Sequence, residues 1–355
     1  MLKSGKSFLA VFALLLLVSC SQEATLEDIA NESNLQVAPQ LAQNLNERVV
    51  VANRGSSNIS VVDAATNTVI GTYAMPDNGM PMYAVHIPQA KRVFVGDRTN
   101  NRVVAFNEDN FSVEGTVPCG NGVFHMWASP NGNQLWVNND IDNTTTIINP
   151  VSMQVKGTAV TPANLVSMGG KPHDVFFDPS KKFAYVSVLG IAGANDYIVK
   201  YNTSRYEEVA RVAVDQDPHI SGTDQNGLLY VACQGGSVYV LRRSDLSIAT
   251  IIPFSGAHGA GMSNSGQYFY ATDLPDGRLG VINTSTNTVM GSPITTPFAI
   301  PHNIAINAND SKLFVTHSGA TADKLSIYAI NPNPTLMTSL TLGTNPFGLV
   351  YYNYK

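Results

Sequence analysis

From Arg48 onward the chain is written in short apolar runs separated by polar turn segments. One register recurs: an apolar strand, a brief turn, and a second apolar strand. Its first member reads RVVVAN (48–53), RVFVGD (92–97), LWVNN (135–139), AYVSV (184–188), LYVAC (229–233), FYATD (269–273) and LFVTH (313–317). Its partner follows after a variable loop, as in ISVVDAATNTVIG and LGVINTSTNTVMG. Between copies lie segments such as KPHDVFFDPSKK and IPHNIAINANDS, a further apolar strand led by Pro-His. Runs this short, rich in Val, Ile, Tyr and Phe and bounded by Asn, Asp, Gly and Pro, predict strands. Seven copies with a period of about 44 residues, four short strands in each, match the blade of a β-propeller. The chain enters at the second strand of a blade and ends in PFGLVYYN (346–353). That last strand is expected to complete the first blade and close the ring, leaving no unpaired seam. The predicted fold is therefore all-β, a seven-bladed propeller over residues 48–355.

Composition agrees and narrows the function. The chain of 355 residues is 44% hydrophobic and 13% charged, with 28 Gly and 19 Pro, which excludes wholesale disorder and long helical bundles. A net charge of −5 speaks against a sequence-independent nucleic-acid binder. Three Cys cannot staple so long a chain, and a Cys119–Cys233 bridge is not expected because the two fall in separated blades.

The N-terminus has its own pattern. Lys3 and Lys6 precede an unbroken apolar run of eleven residues, Phe8–Val18, too short to span a bilayer but suited to a signal-peptide core. It ends Leu17-Val18-Ser19-Cys20, which resembles the lipobox of bacterial lipoproteins. That resemblance implies a signal peptide over 1–19, acylation of Cys20 and a place in the cell envelope, on the periplasmic or surface face of a membrane. Residues 20–47 are polar, lack strand alternation and read as a flexible tether.

The repeats resemble the YVTN-type family, whose members are seven-bladed propellers. The resemblance covers the chain beyond the tether; it speaks to fold, since propellers host many activities. Innermost strands of a propeller line a central channel, and their first residues crowd together at one face. Aligning the copies there gives Met82, His125, His173, His219, His258, His302 and Phe347, so five of the seven His occupy one repeat position. The second strand returns to the same face with Asn53, Asp97, Asn139, Val188, Cys233, Asp273 and His317, of which Asp97, Cys233, Asp273 and His317 are metal-ligand types. Six His at one end of a channel point to a zinc- or copper-like ion, and copper is favoured. Without a cation such a cluster would titrate near neutrality and repel itself. The alternative is that these His simply satisfy carbonyls of neighbouring blades. His86 reads as structural, Met80, Met82, Met126 and Met262 as core, and Arg54 and Arg98 as rim residues. Haem-attachment, Walker A, zincin and nucleophile-elbow motifs are absent.

Two classes of function follow. The His arrangement resembles that of copper-holding propellers, nitrous oxide reductase and methanethiol oxidase, which implies a metal carrier or a copper-dependent oxidoreductase. The separate electron-transfer domain of nitrous oxide reductase is not present in this sequence. Lipid-anchored propellers of similar repeat type instead capture a metal chelate, cobalamin or a siderophore, for an outer-membrane transporter. A protein-interaction scaffold is the third reading. A monomer is expected in each case.

Overall fold

Val49, Val50, Val51 and Ala52 are all fully buried, although successive residues of a strand face opposite ways. Both faces of that strand are covered because blades stack on one another, so the middle strands read as continuous apolar runs. The outermost strands have a neighbouring strand on one edge only and are far more exposed, as in Thr68–Ala74 and Gln154–Val160. The computed structural model describes residues 47–353 apart from Ala194; the leader, Cys20 and the tether lie outside the described residues.

Seven antiparallel sheets of four strands account for the described chain, with a short extra segment in the sixth where the outer strand is broken into Thr288–Val289 and Ile294–Thr295. The innermost strands of blades two to seven are Pro81–Ile87, Val123–Ala128, Lys171–Phe177, Pro218–Thr223, Ala257–Met262 and Pro301–Ile306. In blade one that place is taken by Pro346–Asn353, which pairs antiparallel with Glu47–Asn53 and sets Val350 against Val50. The two ends of the propeller are thus joined in one sheet, as the sequence pattern predicted.

A repeated turn links the third and fourth strands. Asp63, Asn107, Asn149, Asn202 and Asn283 each accept a hydrogen bond from the backbone amide two residues on. Such Asx turns favour one residue in the left-handed region. Asn67 and Asn287 occupy it at φ 57° and 53°, and so do Phe111 and Met153 at 58° and 55°. For Phe111 the strain is offset by burial of its ring against Tyr73, 4.9 Å away.

The innermost strands carry a second repeated irregularity, and it positions the site. Between Pro172↔Val188 and Val175↔Val186, the residues His173 and Asp174 together oppose Ser187 alone. The same two-against-one bulge sets Met82 and Tyr83 against Gly96, Phe124 and His125 against Asn138, and His302 and Asn303 against Thr316. Blades six and one repeat it, whereas in blade five it lies further along, between Ile220 and Gly222. A bulge frees backbone groups from the ladder, and the opposing small polar side chain recovers them. Ser187 Oγ accepts the Asp174 amide at 2.9 Å and Thr316 Oγ1 accepts the Asn303 amide at 3.1 Å.

Candidate metal centre

The register of the innermost strands fixes which residues share the mouth of the channel. Pro81, Val123, Pro172, Pro218, Ala257, Pro301 and Pro346 pair with the ends of the second strands. The next residues are Met82, Phe124, His173, His219, His258, His302 and Phe347. Blade three therefore contributes Phe124 at this level, and His125 lies one residue further along the strand. The expectation of five His in the ring is corrected to four.

Six aromatic rings close a circle at this level. His173 to His219 is 5.0 Å between centroids, His219 to His258 3.7 Å and His258 to His302 4.8 Å. His302 to Phe347 is 4.2 Å, Phe347 to Phe124 6.0 Å and Phe124 to His173 4.4 Å. Met82 is fully buried in the arc where the two Phe meet. Arg54 and Arg98 lie over Phe347 and Phe124 at 5.1 and 5.7 Å, and Arg98 is tied to Asp140.

Two carboxylates that sequence reasoning missed complete the centre. The bulge places Asp174 beside the ring, with Oδ1 at 2.9 Å from His173 Nδ1 and Oδ2 at 3.3 Å from His219 Nδ1. Asp217 Oδ1 lies 3.2 Å from His219 Nε2, a distance suited to an ion pair, although that buried nitrogen makes no aligned hydrogen bond among the described residues. Potential ligand atoms of His173, Asp174 and His219 lie within 4.8 Å of one another, as do those of Asp217, His219 and His258. The signal for these carboxylates was the pair of strings Pro172-His173-Asp174 and Asp217-Pro218-His219, which flank a ring His with an acid in adjacent blades.

Burial and the carboxylates divide the imidazoles. Burial pulls His219 down, but Asp174 and Asp217 together outweigh it and lift it to about 10. Burial pushes the Asp174 carboxyl up, and the surrounding imidazoles more than reverse this, holding it well below the usual carboxylate range. His302 is driven down to about 3 and His258 well below its ordinary value, first by burial and then by His219. Near neutral pH the centre thus holds a protonated His219 between two carboxylates, with neutral His258 and His302 alongside.

The remaining predicted residues are spent elsewhere. His125 Nδ1 accepts the Val175 amide at 3.1 Å, knitting blade three to blade four, and burial lowers its pKa to about 4. His317 is fully buried inside blade seven, with Nδ1 at 3.1 Å from the Ala299 carbonyl and Nε2 at 2.9 Å from Ser326 Oγ. Asp97 accepts the amides of Met80 and Asn100 and pairs with Arg102. Asp273 accepts the Asp276 amide, and Cys233 is buried in its own blade as a free thiol. Asp97 and Asp273 thus brace the turns that follow them, and Cys233 and His317 are held within their own blades, correcting the expectation that they join the ring. His86 is structural as read, stacked on Tyr352 at 3.9 Å and paired with Glu108 at 2.7 Å. Cys119 is likewise a free thiol.

Comparison with solved structures decides the architecture. The fold is that of a seven-bladed β-propeller. The chain superposes on Kuenenia stuttgartiensis hydrazine synthase with a TM-score of 0.66, covering 81% of this chain and 91% of that one at 12% identity. Similarity at this identity speaks to the propeller alone. No protein-family model and no curated protein match the sequence, so the likeness to YVTN-type repeats rests on the repeats themselves.

Proposed function

We propose that this chain is a cell-envelope propeller that binds a transition-metal ion at the mouth of its channel through His173, Asp174 and His219, with His258 and His302 beside them. The observation that carries the reading is the convergence of two overlapping His/Asp donor sets on His219. Ligands about 2.1 Å from one ion are separated by at most about 4.2 Å, so donors within 4.8 Å close on it by small side-chain rotations. Copper(II) is the ion we favour, because imidazole and carboxylate donors suit it and it tops the affinity order for such sites; zinc and iron(II) share the donor set. The role is that of a metal carrier or a copper-dependent oxidoreductase. Anchorage by an acylated Cys20 belongs to the same proposal.

A second reading uses the same face. His173 is the ring His with the most exposed side chain, 17%. That exposure supports a reading in which it ligates the metal of a captured chelate such as cobalamin or a siderophore, for delivery to an outer-membrane transporter.

Elemental analysis by mass spectrometry of untagged protein purified from its native envelope separates the two. The metal-centre reading expects near-stoichiometric copper, or another transition metal, that is lost in a folded His173→Ala/His219→Ala variant. Metal-free protein that also fails to take up copper or zinc on dialysis sinks that reading, and binding of cobalamin or a ferric siderophore would then establish the second.

A further inference from the structure

We infer that the channel behind the ring is a separate binding site, open at the opposite face of the propeller, for a small planar aromatic molecule carrying a hydrogen-bond acceptor. This inference does not depend on the metal centre. A cavity of about 450 Å³ begins at Tyr83, His125 and Asn303, immediately behind the ring residues, and runs to the far ends of the inner strands. Its size falls within the range of pockets that enclose small ligands, and all seven blades contribute to its wall.

The wall supplies a stacking surface. Trp127 is 37% exposed, the one exposed residue of its strand, and lies parallel to His125, 7° between planes at 6.0 Å. Phe176 flanks it at 5.4 Å. A large ring held from behind by aromatic neighbours, yet partly uncovered toward a cavity, is placed to stack on a planar guest. Gly222 and Gly261 also line the cavity, and each packs so closely on the next blade that a Cβ would meet Met262 at 2.6 Å or Ile304 at 3.1 Å.

The floor supplies the polar contact. His125 Nδ1 accepts the Val175 amide, so the neutral ring carries its proton on Nε2. That N–H has no hydrogen-bond partner among the described residues, and the ring lines the cavity. A guest carbonyl at the floor would accept this hydrogen while its rings cover Trp127. The donor faces the cavity, so a guest that fills this space covers it; a guest with an acceptor pairs it, while one without leaves it covered and unpaired, which is costly.

Coumarin, planar and with one ring carbonyl, serves as the probe, with naphthalene as the control of similar shape lacking an acceptor. The chain has only two Trp, and Trp136 is fully buried, so a change in tryptophan emission reports on Trp127. Titration of EDTA-treated protein is expected to give saturable, single-site quenching by coumarin and binding about tenfold weaker for naphthalene. By equilibrium dialysis, Trp127→Leu and Phe176→Leu should each weaken coumarin binding, whereas His173→Ala/His219→Ala should leave it unchanged. The last result separates this site from the metal centre. Absence of saturable binding up to the solubility limit, equal affinity for the two probes, or binding untouched by Trp127→Leu would overturn the inference.

Discussion

Asp174 Oδ2 lies 3.3 Å from His219 Nδ1 across the seam between blades four and five, and the same oxygen accepts the Ile220 amide at 3.1 Å. One carboxylate therefore holds the blade-five strand in place and supplies the counter-ion for a buried imidazolium. This explains how buried imidazoles share one ring: His219 carries a proton, while burial first and the His219 charge second keep His258 and His302 neutral. It also defines what an incoming metal ion has to displace.

That displacement is measurable. With His219 lifted to about 10, an ion bound through it releases one proton across the neutral range. Apparent copper or zinc affinity should rise about tenfold per pH unit between pH 6 and 9, and calorimetry in two buffers of different ionisation enthalpy should count one proton. A pH-independent affinity would mean that the ion does not use His219.

Removal of the counter-ion tests the same network without metal. Asp174→Asn retains an acceptor for the Ile220 amide but strands a buried imidazolium, for which a loss of about 3–5 kcal/mol is expected. Asp217 has a side chain 37% exposed, so Asp217→Asn should cost far less. Urea unfolding of the two variants at pH 7 compares them directly; equal losses would place the charge on His219 in doubt.

The blades were legible because each middle strand is buried on both faces and punctuated by turn residues, a pattern that alternation-free runs such as Val49–Ala52 record directly. The site was legible only to within one residue. In every blade but the third, the ring residue follows a Pro or Ala: Pro81, Pro172, Pro218, Ala257, Pro301 and Pro346. Blade three carries Val123 instead, and its His stands one place late, so matching His to His slipped the register and hid Phe124. Bulges leave no composition signature, which is why Asp174, brought beside the ring by one, was not foreseen. The second-strand residues failed for a different reason. Asp97 and His317 are the right types for metal ligation, but Asp97 is taken up by the turn that follows it and His317 by the Ala299 carbonyl and Ser326 of its own blade.

Ring closure makes the C-terminus structural. Deleting Pro346–Lys355 removes the innermost strand of blade one, uncovers the edge of Glu47–Asn53 and takes Phe347 out of the aromatic circle. The truncated protein should lose cooperative unfolding and elute as aggregate in size-exclusion chromatography, because the exposed edge is free to pair between chains. A monomer with an unchanged unfolding midpoint would show that the other six blades hold the ring unaided.

The buried imidazoles, in the ring and outside it, also set the pH range of stability, with opposite signs on the acid and alkaline sides. His86, His125, His258, His302 and His317 are depressed in the folded protein, to about 4 for His125 and about 3 for His302, against an ordinary 6.5. Above pH 6.5 these groups are neutral in both states and contribute nothing. As pH falls below 6.5 the unfolded chain takes up protons that the folded protein refuses, costing up to about 1.4 kcal/mol per group per pH unit until the folded value is reached. His219 behaves in reverse: its stabilisation is complete below 6.5 and is lost as pH climbs toward 10. Chemical denaturation across pH 4 to 10 should therefore show a maximum near neutrality, with five depressed imidazoles acting on the acid side and His219 on the alkaline side, joined above about pH 9 by the buried thiols of Cys119 and Cys233, which burial pushes up. His302→Phe, which places in blade seven the ring residue that blade one carries as Phe347, should flatten the acid side and leave the alkaline side unchanged. An acid slope unaffected by that substitution would mean that His302 is protonated in the folded protein and that the ring holds more than one charge.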